Sequence, residues 1–187
     1  MRYHDILKFD MLNGEGIRVV LFVSGCNHHC KGCQNPETWD PGSGILFDES
    51  ALNEIIKDLK PDYISGLTLS GGDPLFYQNL DDVLNLVKKV KEIYPNKTIW
   101  LYSGYTYNEL FPMIDDRNGS IAEFVMNGDD SHVAYKEPSP NLLKRQEILK
   151  YCDVLVDGKF VQEKLDANYP WAGSTNQKVI YLKEKRA

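Results

Sequence analysis

Three of the four cysteines in this chain of 187 residues fall within eight positions, in the run Cys26-Asn27-His28-His29-Cys30-Lys31-Gly32-Cys33. Thiols clustered this tightly read as metal ligands, because a disulfide framework spreads its cysteines along the chain and suits a secreted protein. A closed iron–sulfur cubane is held by four thiolates. Three local thiolates hold three irons and leave the fourth without a protein ligand. Such an open position is reactive, as it is in metal sites that do catalysis rather than hold structure. On the residues alone, other readings stay open. A structural zinc ion would draw a fourth ligand from His28, His29 or Cys152, although no second cysteine pair follows the first group. Cys152 would otherwise close an electron-transfer cluster, or the cysteines would be inert. His28 and His29 read as surface residues, or as neighbours that tune the cluster potential. Cys152, far from the rest, reads as a buried structural thiol.

The loop needs an element to carry it. Arg18 to Val23 is rich in β-branched residues, fits a buried strand, and runs directly into the cysteines. Leu52, Ile55, Ile56 and Leu59 recur at helical spacing, with Asp48 as cap and Glu49 at the positive end. Ile64 to Ser70 is a second strand, ended by the turn Gly71-Gly72-Asp73-Pro74. Leu80, Val83, Leu84, Val87 and Val90 form one helical face, with Asn79 as the expected cap and Pro95 beyond the end. Thr98 to Tyr102 is a third strand. Thr106 to Glu109 has the capping-box pattern of a short helix, limited by Pro112. Ser139-Pro140 starts another helix, Val154 to Val156 is a fourth strand, and Lys178 to Leu182 is a fifth. Trp39, Trp100 and Trp171 read as core or interface aromatics.

Alternating strands and helices imply parallel strands with right-handed crossovers. Five strands are too few for a closed eight-stranded barrel. The expected fold is therefore α/β: an open partial (β/α) barrel, or a doubly wound sheet, of about five mostly parallel strands. The active site would lie at the carboxyl ends of those strands, where both notable loops sit. A single domain over 1–187 is expected, with the turn-rich stretch 115–140 as an insertion or mobile loop.

Composition narrows the function classes. A net charge of −6 argues against non-specific binding to nucleic acid or anionic membranes, which need clustered Lys and Arg. No stretch approaches the ~20 apolar residues of a membrane span, and the first residues lack the apolar run of a signal peptide. A cytoplasmic location is expected.

Taken together, these motifs resemble the radical S-adenosylmethionine superfamily. Its signature is C-x3-C-x2-C after the first strand, and its second motif is a Gly-Gly-acid turn after the second. Asn13-Gly14-Glu15-Gly16-Ile17-Arg18, Gly32-Cys33-Gln34-Asn35, Asp157-Gly158-Lys159-Phe160 and Trp171-Ala172-Gly173-Ser174-Thr175-Asn176-Gln177 narrow the likeness. It becomes closest to the glycyl-radical activases that serve the anaerobic ribonucleoside-triphosphate reductase. Gly32 stands where many radical enzymes place an aromatic residue, so backbone would take over contact with adenine there.

The resemblance implies one 4Fe–4S cluster per chain, held by Cys26, Cys30 and Cys33, with S-adenosylmethionine on its open iron. Gly32, Cys33 and Gln34 would offer backbone to adenine, while Gly71 and Gly72 would meet the methionine amino group. Asp73 would add a charge-assisted contact or stabilise the turn. A reduced cluster would pass one electron to the sulfonium, and hydrogen would be taken from a glycine Cα. No side chain is assigned a catalytic role. The implied partners are the reductase large subunit and a flavodoxin-type electron donor. Rival readings are a radical enzyme acting on another glycyl-radical protein or a small molecule, and a non-catalytic zinc module.

Overall fold

The computed structural model describes residues 1–113, 119–127 and 130–185. The strands are β1 (Arg2–Asp10), β2 (Ile17–Val23), β3 (Ile45–Leu46), β4 (Ile64–Gly71), β5 (Thr98–Ser103), β6 (Ile121–Asn127), β7 (Asp130–Lys136), β8 (Val154–Asp157) and β9 (Lys178–Tyr181). The helices are α1 (Glu49–Asp58), α2 (Leu80–Ile93), α3 (Tyr107–Leu110), α4 (Pro140–Tyr151) and α5 (Leu182–Lys185).

Seven strands form one sheet in the order β3-β1-β2-β4-β5-β8-β9. The central four, β2-β4-β5-β8, are parallel. β1 joins β2 antiparallel, β3 joins β1 antiparallel, and β9 closes the far side antiparallel to β8. The expected α/β class therefore holds, but the count of about five strands is too low. β1 was missed because all of its residues except Asp10 are exposed or half-buried, so it lacks the apolar run that marks a central strand. Within the 115–140 stretch, β6 and β7 pair antiparallel as a sheet of their own. The turn-like residues Asp115 to Asn118 and Gly128-Asp129 lie outside the described residues.

Side chains alternate across a strand, and here the alternation separates two jobs. Val19, Leu21, Leu67, Leu69, Ile99, Leu101 and Leu155 point to the helices, where they pack with Ile55, Leu59, Val83, Val87, Val90 and Ile148 in one buried core. The alternate residues form the other face. Val20, Thr68, Trp100 and Val154 stand side by side in register across four strands. Arg18 lies beneath this row, fully buried. Its Nε donates to Thr68 Oγ1 at 2.7 Å, Nη1 to Thr98 Oγ1 and Glu15 O, and Nη2 to Leu67 O and Thr98 O. All five guanidinium N–H groups are thus satisfied by hydroxyls and carbonyls. Burial holds its pKa down to about 10.

Caps follow local chemistry where the flanking sequence is all that matters. Asp48 accepts from Ala51 N–H, Ser139 from Leu142 N–H, and Thr106 with Glu109 makes the full capping box. Asn79 is the exception. Its side chain makes no cap bond, and its amide instead donates to Ser24 O and Asp73 O. Tertiary partners took a side chain that local pattern assigned to the helix.

Asp153 ties the helix layer to the sheet, accepting from Lys91 Nζ (2.7 Å), Ile99 N–H (2.8 Å) and Lys183 Nζ (3.0 Å). Burial alone would raise its pKa, but the bonds from Lys91, Ile99 and Lys183 outweigh it and hold the carboxyl below its ordinary value. A depressed folded pKa contributes stability above the unfolded value, and that stability is lost as pH falls through the folded one. Asp153→Asn is expected to lower unfolding free energy at pH 7 by about 1.5–3 kcal/mol. Urea denaturation should show the gap between variant and parent shrinking as pH drops below about 4.

Candidate functional site

β2 and β4 are parallel neighbours with Phe22 opposite Ser70 and Val23 opposite Gly71, so the loops that leave their carboxyl ends must meet. They meet backbone to backbone. Gly72 N–H donates to Val23 O and Asp73 N–H to Gly25 O, both at 2.8 Å. Gly71 has φ +95, and a Cβ there would stand 2.8 Å from the Phe22 and Val23 backbone. A Cβ on Gly72 would stand 2.6 Å from Gly25 O. The Gly-Gly pair thus exists to let the two loops touch.

The cysteine loop is pinned on both flanks. Gly25 N–H donates to Thr38 O at 2.7 Å, Cys26 N–H to Trp39 O at 3.0 Å, and Cys33 N–H to Cys30 O at 3.1 Å. All three cysteines are half-buried, and two of the sulfurs receive a backbone N–H: His28 N–H on Cys26 and Asn35 N–H on Cys33, both at 3.4 Å. In the metal-free thiols, burial pushes Cys26 up to about 11, against the N–H groups of His28 and His29. Burial also raises Cys30, against Phe160 N–H and the charge of Lys159. Metal must therefore displace these protons, and the N–H groups then favour the thiolates.

The donor set fits an iron–sulfur cluster. In a cubane each thiolate holds its own iron. Cys26, Cys30 and Cys33 open onto one cavity of about 760 Å³, which Gln34, Gly71 and Gly72 also line. Its volume suits a nucleoside-sized ligand.

Of the residues singled out from sequence, Gly32 and Asp73 do not line this cavity. Gly32 abuts Gln162, which approaches to 2.9 Å of where a Cβ would be. Asp73 is 1% exposed, and its carboxylate accepts from Leu75 N–H, Ser103 Oγ, Gly104 N–H and His28. These bonds fix the turn, one of the two roles expected for it. Asp157 is likewise a strand-end residue, accepting from Tyr107 N–H and Lys178 N–H, whereas Gly158, Lys159 and Phe160 face the cavity. The 173–177 loop braces that segment: Gln177 Nε2 donates to Gly158 O and Asn176 Nδ2 to Lys159 O. Trp100 is core, while Trp39 and Trp171 line the cavity. Cys152 is 1% exposed with its thiol on Ile148 O, as expected.

Sequence reasoning missed two features. His28 joins Asp73, a contact between distant segments. Tyr102 brings a phenol to the cavity wall, where burial raises its pKa, and only strand alternation from Trp100 would have found it. Lys159, within a motif the sequence singles out, is the only Lys or Arg among the described residues lining the cavity.

Comparison with known proteins agrees with this geometry. A family model described as a 4Fe-4S single cluster domain matches residues 12–180. The chain is 44% identical over 179 residues to the anaerobic ribonucleoside-triphosphate reductase-activating protein of Vibrio cholerae, covering 95% of this chain and 96% of that one. It is 42% identical over 183 residues to the protein of that name in Pasteurella multocida, covering 97% of each. It is 37% identical over 185 residues to that of Escherichia coli, covering 98% and 100%.

Cys26→Ala, Cys30→Ala and Cys33→Ala should each lose most iron and sulfide after strictly anaerobic reconstitution. Cys152→Ala should retain about four irons per chain. Iron and sulfide analysis checks this, and loss in the Cys152 variant would contradict the three-ligand assignment.

Proposed function

Because the chain belongs to the family of anaerobic ribonucleoside-triphosphate reductase-activating proteins, built on a 4Fe–4S single cluster domain, we propose that it cleaves S-adenosylmethionine reductively and generates a glycyl radical on the reductase large subunit. The observation that carries this reading is that three thiols and the Gly71-Gly72 turn face one cavity. A site holding iron alone, or the ligand alone, would need only one of them.

When bound, the cluster supplies the one electron that breaks the sulfonium's bond to the 5′ carbon, and hydrogen taken from a glycine Cα leaves 5′-deoxyadenosine, methionine and a backbone radical on the partner. The protein's contribution is placement and exclusion of water. Cys26, Cys30 and Cys33 would hold the cluster. The backbone of Gly71 and Gly72 would take the methionine amino group, and Lys159 is the one Lys or Arg among the described residues lining the cavity that could meet its carboxylate. Cys33 and Gln34 offer backbone to adenine, with Gly32 shaping the turn before them. Asp73 contributes through the turn it fixes. Phe22 and Tyr102 wall the cavity from the sheet side, and Tyr169 to Gly173 line it from the other segment.

We read the sheet as an open partial barrel of the radical S-adenosylmethionine type, in a single domain over 1–187, working in the cytoplasm. A flavodoxin-type protein would supply the electron, and neither nucleic acid nor membrane takes part.

Reduced, cluster-loaded protein mixed with S-adenosylmethionine and the reductase should give a glycine-centred radical by electron paramagnetic resonance. About one 5′-deoxyadenosine should form per radical, and the signal should change when the reductase carries deuterated glycine. Cofactor cleavage with no such radical on active reductase would overturn the assignment of partner. No cleavage at all would overturn the activity.

A further inference from the structure

The ends of the cysteine loop are fastened by backbone bonds, but its middle reaches the strand ends through side chains. Here His28 Nε2 lies 2.7 Å from Asp73 Oδ2. The side chains of this pair are 7% and 1% exposed. Asp73 is itself immobilised: Oδ1 accepts from Leu75 N–H at 2.8 Å and Ser103 Oγ at 3.0 Å, and Oδ2 from Gly104 N–H at 3.2 Å. The imidazole lies edge-on to Tyr105, with ring centroids 4.7 Å apart, and covers Gly104. A Cβ on Gly104 would fall 2.3 Å from the ring. The backbone N–H of the same histidine donates to Cys26 Sγ. One residue therefore touches a ligand sulfur with its main chain and the Gly-Gly turn's aspartate with its side chain.

Resting on the proposed function, we infer that His28 is a positioning residue: through Asp73 it holds the cysteine loop at one fixed spacing from the Gly71-Gly72 turn. The spacing matters because the ligand spans both loops. A shift of about 1 Å between groups that must act together can cost roughly a hundredfold. Carboxylate–histidine pairs beside metal ligands carry effects of about ten- to a hundredfold. A loop held only at its flanks would still gather iron but would present it at a variable distance.

The test uses the full chain, loaded with cluster and reduced. S-adenosylmethionine is titrated while the electron paramagnetic resonance spectrum of the cluster reports binding. His28→Ala should keep about four irons yet bind at least about tenfold more weakly, with an altered or lost spectral change. His28→Gln, which keeps an N–H of similar reach, should recover most of the affinity. Asp73→Asn, which also disturbs the bonds from Leu75, Ser103 and Gly104, should bind at least as weakly as His28→Ala, and the double variant should be no worse than Asp73→Asn alone, because the bond to His28 is already lost in it. The proposal is overturned if His28→Ala binds as the parent does, if Gln is no better than Ala, or if the two effects multiply. Loss of iron in His28→Ala overturns it too, since His28 would then be needed to hold the cluster rather than to space it. The parent protein separates the two readings. No binding by the loaded parent overturns the proposed function itself, while parent-like binding by the variants removes only the role of His28.

Discussion

Everything at the site follows from two loops forced into contact by adjacent parallel strands. Parallel pairing puts the carboxyl ends of β2 and β4 at the same edge, in register at Val23 and Gly71. Whatever chain leaves those ends must run side by side. Only glycine lets it do so here, because a Cβ at either 71 or 72 would press on main-chain atoms that have no freedom to yield. The cysteines and the turn are thus joined by main-chain hydrogen bonds before any side chain takes part. The cysteine loop and the Gly-Gly turn are thereby fastened to each other at their bases.

The sheet separates this unit from what stabilises the fold. Its helix-facing residues make the large apolar core, and substitutions there act on stability. The opposite face carries Phe22, Ser70 and Tyr102 into the cavity, while Arg18 and Thr68 close it off below. A buried guanidinium is costly to desolvate, and its five bonds to hydroxyls and carbonyls, helped by the charges of Asp153, Glu15 and Asp10, offset that cost. This arrangement fills the base of the open sheet with a polar, fully bonded group and leaves the upper part free for a ligand.

Much of this was legible in the sequence because it is local. The cysteine spacing, the Gly-Gly turn, and the caps at Asp48, Thr106 and Ser139 depend on neighbours within a few positions, and all stand where expected. β1 was not legible, since a strand near the sheet edge needs no apolar run, and its partner β3 is only two residues long. Asn79 was misread because a cap site and a buried amide site look alike until distant carbonyls are known. The His28–Asp73 pair spans 45 positions, and histidine next to cysteines suggests a ligand or a surface residue before it suggests an anchor. The sequence likewise could not say that Asp73 turns away from the cavity while the glycines beside it face in.

The central claim is that Cys26, Cys30 and Cys33 would hold a cluster with one iron left open to a ligand in the cavity that Gly71 and Gly72 also line. Electron–nuclear double resonance on the reduced, loaded protein tests it most directly, using S-adenosylmethionine labelled with 15N and 17O in its methionine amino and carboxylate groups. The account predicts that both labels couple to the cluster at saturating ligand. Absence of coupling from either label, or a coupled protein nitrogen from His28 or His29 that persists when the ligand is added, would contradict it.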